Sequence, residues 1–139
     1  MKISSYYPVL CVNNVQEMSD FYQTHFGFEV GFDSDWYVHL TMKEQPHINL
    51  AFVKSDHPSV PEMLRQQAQG IILNFEVEDV DDFYDKMKAA NMSIKLELRD
   101  EDWGQRHFIM TDPAGAMIDV IKLIPPSAEF QEQYTALSA

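Results

Sequence analysis

The chain has 139 residues, 45% of them hydrophobic, which suffices for one domain with a real core. Its 22 acidic residues against 10 basic ones give a formal net charge of -12, which argues against a nucleic-acid partner, because phosphates need a basic footprint. No apolar run approaches the roughly 18–20 residues of a membrane span and no signal-peptide core opens the sequence; with Cys11 as the single cysteine, a cytoplasmic protein is expected.

In chain order, Tyr6 to Val12 reads as a strand. Asn14 then caps a helix, with Glu17 placed as the reciprocal member of a capping box, and Val15, Met18, Phe21, Tyr22 and Phe26 fall on one stripe. Gly27 supplies the stop. Phe28 to Phe32, Tyr37 to Met42 and Ile48 to Val53 read as three strands separated by polar or proline-containing turns. Residues 55–69 carry Pro58 and Pro61, with one candidate helical turn at Glu62 to Gln67, and are expected to form an exposed, mobile linker.

The second half restates the first. Ile71 to Val77 is a strand, Asp79 caps a helix carrying Val80, Phe83, Met87 and Ala90, and Asn91 ends it. Strands follow near Ile94 to Leu98, His107 to Thr111 and Met117 to Leu123. Val12-Asn13-Asn14-Val15 recurs as Val77-Glu78-Asp79-Val80, so the chain reads as a weak internal duplication. The expected fold class is α+β: a single domain over residues 1–124, made of two βαβββ modules at about 3–54 and 70–124, whose curved mixed sheets surround a cup. Residues 125–139 form a tail in which Phe130, Tyr134 and Leu137 stand at helical spacing, suited to packing on this chain or on a second copy.

The last two strands are joined by Asp112-Pro113-Ala114-Gly115, where proline presets a turn and glycine takes the position a side chain would strain. Together with Val9 to Val15, Asp20-Phe21-Tyr22, Phe26-Gly27-Phe28 and Phe75 to Val80, this turn leading into Asp119 resembles the vicinal oxygen chelate superfamily over about residues 3–124. That superfamily includes glyoxalase I, extradiol dioxygenases, and fosfomycin- and bleomycin-resistance proteins. The resemblance implies a homodimer and, in the family's enzymes, a divalent metal held by His or Gln, Glu, His and Glu from four strands. Hard and borderline cations take such ligands and leave positions open for substrate oxygens. The four positions fall here on Tyr7, Ala51, Ile72 and Asp119. A register slip of one residue would offer Asn49, Asn74 or Glu76, still without a His/Glu set. No metal and no other cofactor is therefore expected.

The five histidines, His25, His39, His47, His57 and His107, show no helical zinc spacing; His39, His47 and His107 lie on or beside strands. No phosphate loop, nucleophile elbow or CxxC is present. Asp119 reads either as a buried acid satisfied by Tyr7 or an arginine, or as an acid–base partner of His107 or His39. Loss of the metal set, with Trp103-Gly104 ahead of the DPxG turn, is similar to the bleomycin-resistance branch, which binds drugs without a metal. The resulting expectation is a small, aromatic or cationic organic ligand, held by Tyr7, Trp36, His39, Asn49, Trp103, His107 and Asp119, with a protective role against a toxic compound. Phe52 reads as core, and Tyr37 as core or pocket. The alternative is a divergent lyase, isomerase or dioxygenase-type enzyme with an atypical metal set.

Overall fold

The structure is a computed structural model and describes residues 1–134. The chain divides into two compact units, one of Met1–Gly70 with Asp112–Gly115, the other of Ile71–Thr111 with the described residues from Ala116 onward.

The first unit holds β1 (Val9–Val12), α1 (Val15–Phe26), β2 (Glu29–Asp33), β3 (Tyr37–Thr41) and β4 (Asn49–Lys54), in the sheet order β1-β4-β3-β2. β1 runs parallel to β4 and the other pairs are antiparallel. β1 starts later than Tyr6 because Pro8 has no N–H to extend the ladder; its carbonyl still accepts from Ala51 N (3.1 Å). Alternation then sorts the sheet. Leu10, Val12, Val38, Leu40, Leu50 and Phe52 are buried on the side of α1 with Val15, Met18 and Tyr22, and the Tyr22 ring stacks on Phe52 at 5.5 Å. Phe21 and Phe26, expected on the buried stripe, are only half-buried, and Ser19 takes a buried place instead.

Asn14 Oδ1 accepts from Glu17 N (3.0 Å) at the start of α1, and Gly27 ends the helix at a left-handed φ of 75°. Replacing Asn14 with alanine is expected to cost about 1 kcal/mol, read as a lower urea midpoint at unchanged slope.

The stretch expected to be an exposed linker is partly packed. Ser55 N donates to Val12 O (2.8 Å), Ala68 N donates to Cys11 O (2.9 Å), and Val60 is buried. The first bond continues the β1–β4 ladder one residue past Lys54, and the second covers the outer edge of β1, which stands at the end of its sheet order. The helical turn shrinks to a 3-10 turn at Glu62–Leu64.

The second unit repeats the plan with β5 (Ile72–Glu76), α2 (Val80–Ala89), β6 (Ile94–Glu101), β7 (Gln105–Thr111) and β8 (Met117–Leu123), ordered β5-β8-β7-β6. Leu73, Val80, Met87, Phe108, Met110, Ile118 and Val120 form its core. Asp79 stands at the N-cap of α2 but makes no side-chain cap bond; its ψ of 54° departs from the extended backbone that aims a capping side chain. Ala90 lies beyond the helix and is exposed, while Asn91 makes the left-handed stop at φ 58°. After β8 a short helix α3 (Ala128–Gln131) places the Phe130 ring 6.4 Å from Trp103, and the Tyr134 hydroxyl donates to the Trp103 carbonyl. Leu137 lies outside the described residues. The architecture is α+β, two βαβββ modules each with a four-stranded mixed sheet. Among the described residues no helix is long and apolar enough to cross a membrane.

Candidate functional site

The sheet faces turned away from α1 and α2 carry the polar residues. In the first unit the register sets Val9, Ala51 and His39 in one row, with Phe32 opposite His39, and Cys11, Val53 and Tyr37 in the next. Asn49, opposite Thr41, makes the third. His39 Nε2 lies 2.8 Å from Asn49 Oδ1, Asn49 Nδ2 donates to Pro46 O (2.9 Å), and the Tyr37 hydroxyl is 3.5 Å from His39 Nδ1. The Tyr7 ring meets His39 edge-on at 4.6 Å. Burial, followed by the charge and hydrogen bond of Tyr7, raises the Tyr37 hydroxyl above the ordinary phenol range.

Beside these rows lies a cavity of about 470 Å³ whose walls include Val9, Phe32, Trp36, Tyr37, Val53 and Val60. Trp36 is pre-positioned there by His57, whose ring stacks on it at 3.7 Å and 8°. Two readings change here. His57 and Val60 come from the stretch expected to be a mobile linker, and Tyr37, legible as core or pocket, is half-buried in the cavity wall.

In the second unit, β7 and β8 bring His107 against two acids. Its Nδ1 donates to Asp119 Oδ1 (2.7 Å) and its Nε2 to Glu101 Oε2 (2.9 Å), with the His107 side chain 5% exposed. Ionised carboxylates only accept, so the pair of bonds is made in full when both ring nitrogens carry protons, and the site favours the imidazolium. Burial alone would lower the His107 pKa, but the hydrogen bonds and charges of Glu101 and Asp119 outweigh it and the value is raised. The same bond, aided by Arg99 Nε at 2.9 Å, holds Glu101 below the usual carboxylate range against the opposing effect of burial. Trp103 sits 6.3 Å from the His107 ring and donates through Nε1 to Gln105 Oε1 (3.0 Å). Gly104 follows it at φ 108°, where a Cβ would come within 2.9 Å of the Ile124 carbonyl, so the Trp-Gly pair marks a close backbone approach.

The expected site residues therefore form two sets: Tyr7, Trp36, His39 and Asn49 in the first unit, and Trp103, His107 and Asp119 in the second. Of the two partners the sequence left open for Asp119, Tyr7 or an arginine on one reading and His107 or His39 on the other, it bonds His107, and Arg99 reaches Glu101. Sequence reasoning missed Glu101 because β6 runs three residues past Leu98, pairing Arg99 with His107 and Glu101 with Gln105. His25 rests its ring 5.0 Å from Phe21, and His47 is exposed.

The family's metal does not fit these residues. Ala51 and Ile72 offer no donor atom, and Asp119 Oδ1 is already bonded to His107. Among the described residues no group of three or more His, Cys, Asp and Glu is arranged to hold a metal ion.

The chain belongs to the Glyoxalase/Bleomycin resistance protein/Dioxygenase superfamily, whose family model matches residues 6–120. Three solved structures illustrate the fold it shares. A superfamily member from Sphaerobacter thermophilus is 20% identical at a TM-score of 0.72, covering 88% of this chain and 98% of the other. TioX from a Micromonospora species is 18% identical at 0.66, covering 88% and 100%. A lactoylglutathione lyase from Agrobacterium tumefaciens is 19% identical at 0.66, covering 88% and 96%. Among curated proteins, none matches the chain.

Proposed function

We propose that this chain binds a small, planar organic molecule without a metal, in the cavity of the first unit. The observation that carries this reading is the cavity itself: about 470 Å³, walled by Val9, Phe32, Val53 and Val60, with Trp36 already stacked and Tyr37 beside it. Apolar walls with few polar groups are what a small-molecule site needs, and a pre-positioned indole reduces the ordering cost of binding. Ala51 on the same sheet face supports the metal-free part of the reading, because a methyl group stands where the family's enzymes carry an acid.

A second cavity of about 630 Å³ lies at Gln105, Leu123 and Tyr134, but Glu76 and Gln131 also line it and no aromatic ring is held in place by stacking there. The Glu101–His107–Asp119 array is the feature an enzymatic reading would use. Both of its ring nitrogens are committed to carboxylates, which makes it a poor base and suits a structural role. A protective role against a toxic compound is compatible with metal-free binding, and loss of protection in cells carrying Trp36→Ala would test it.

A thermal-shift screen of planar aromatic compounds in EDTA tests the binding itself. A ligand at about 100 times its Kd stabilises by about 2.7 kcal/mol, a shift of several degrees. Trp36→Ala is expected to weaken binding about tenfold or more. Shifts that appear only after a divalent metal is added, or that survive Trp36→Ala, would overturn the proposal.

A further inference from the structure

We propose that the second unit holds a separate site for an alkylammonium ligand, in the cavity of about 630 Å³ beside Tyr134. The Glu76 carboxylate takes the positive charge and an aliphatic wall takes the body of the molecule. This site is independent of the first-unit cavity, whose wall carries no charged side chain among the described residues.

Strand register builds the site. Ile72, Asn74 and Glu76 alternate on the exposed side of β5, while Leu73 between them is buried. Glu76 stands opposite Ile121 on β8, two residues before Leu123, and Leu123 stands opposite Gln105 on β7. The chain then turns through Pro125-Pro126 towards α3, and Ile124, Pro126 and Tyr134 make the rest of the wall. That segment is tied down at both ends: Ile124 N donates to Gly104 O (2.9 Å), and the Tyr134 hydroxyl donates to the Trp103 carbonyl. A wall formed in advance lowers the ordering cost of binding.

Two side chains in this wall lack partners. Leu123 is 60% exposed, and a hydrocarbon body laid on it would remove apolar surface from water. Glu76 is the charged residue of the wall, and among the described residues its carboxylate has no ion pair and no side-chain hydrogen bond. Lys122 borders an adjoining cavity with Glu76, but it follows Ile121 on the strand and so points to the opposite face, where its charge acts on Asp81. Gln105 Oε1 accepts from Trp103 Nε1 and Gln131 Nε2 donates to Pro126 O, so neither amide bonds Glu76. An ionised carboxylate only accepts, and an ammonium brings several donors together with the opposite charge. An anionic ligand would meet an unpaired carboxylate on a chain of net charge -12.

Adamantylmethylamine and adamantylmethanol separate charge from shape, because at pH 7 they carry an ammonium and a hydroxyl on the same aliphatic cage. In 15N NMR titrations of the intact chain, the amine is expected to bind about threefold to tenfold more tightly than the alcohol, with amide shifts centred on Glu76, Gln105 and Leu123. Glu76→Gln should erase the preference and leave the alcohol Kd within about twofold, since the carboxamide keeps the shape and removes the charge. Raising salt from about 0.05 to about 0.5 M should narrow the preference. Leu123→Arg, at an exposed position, should weaken both probes. A preference that survives Glu76→Gln would trace the amine to the overall acidity of the chain and overturn the site. Equal binding of the two probes, shifts confined to the first unit, or binding unchanged by Leu123→Arg would overturn it too. Failure of both probes to bind has the same consequence, and each of these results leaves the reading of the first-unit cavity standing.

Discussion

Replacing His107 with alanine is expected to destabilise the protein by about 3 kcal/mol, measured by urea unfolding near pH 6. The size follows from what the imidazolium leaves behind. Asp119 is 8% exposed, and its Oδ1 faces His107 Nδ1 at 2.7 Å in the middle of a β-strand. Glu101 keeps Arg99 at 2.9 Å, so most of the penalty falls on Asp119, a buried carboxylate robbed of its cation. Alanine at both His107 and Asp119 should therefore be less damaging than the sum of the two single changes, with a coupling of about 1–3 kcal/mol. A loss below about 1 kcal/mol for the single change would show that water reaches Asp119 well enough to replace the histidine.

The pH dependence has a definite sign. The folded pKa of His107 is raised above the ordinary 6.5, so its contribution is fully present below about 6.5 and fades as pH climbs through the raised folded value. Glu101 goes the other way. Its folded pKa lies below the ordinary 4.5, so its contribution is present above about 4.5 and is lost as pH falls through the lowered value. Both operate together between about 4.5 and 6.5. Urea midpoints taken from pH 5.5 to 8.5 should decline in the natural chain, and this part of the decline should vanish in His107→Ala.

The parts of the molecule legible in the sequence are those where one residue type has one physical solution. Asn14 and Gly27 bracket α1 because an amide oxygen can satisfy a free helix N–H and glycine accepts a φ of 75°. β8 was readable end to end because Met117, Ile118, Val120, Ile121 and Leu123 make a largely apolar run with a turn in front of it. The parts that were not legible depend on pairing. Arg99-Asp100-Glu101 looks like a charged loop, yet it continues β6 because β7 offers a partner strand, and only that register delivers Glu101 to His107. His39 and Asn49 are ten residues apart in sequence, and their bond follows from the pairing of Thr41 with Asn49 across a turn whose geometry composition does not set. Val60, one valine between two prolines, carries no periodicity, although it closes a wall of the cavity. Identifying the family from its motifs was a question of local chemistry; locating the cavity was a question of register.

Asp112→Ala is the other substitution expected to cost about 3 kcal/mol, and it reports on the most local part of the family pattern. Asp112 is 5% exposed and serves two bonds at once. Its Oδ2 accepts from the Tyr22 hydroxyl at 2.8 Å, and its Oδ1 accepts from Ala114 N at 2.9 Å, which folds the Asp-Pro-Ala-Gly turn back on itself. Burial, then the Asp112 charge and hydrogen bond, raise the Tyr22 pKa far above the phenol range, so the hydroxyl stays a donor at any pH the fold survives. Because the bond is charge-assisted, its loss is worth about 1.5–3 kcal/mol, and the turn bond adds about 1 kcal/mol. Tyr22→Phe separates the two. It keeps the ring stacked 5.5 Å from Phe52 and leaves the turn bond intact, so it should cost about 2 kcal/mol, less than Asp112→Ala. If urea unfolding gives the two variants equal losses, the turn bond contributes nothing and the aspartate matters only as the acceptor for Tyr22. If Tyr22→Phe is instead harmless, then the aspartate is held for the turn alone, and its pairing with an aromatic on α1 is packing rather than energy.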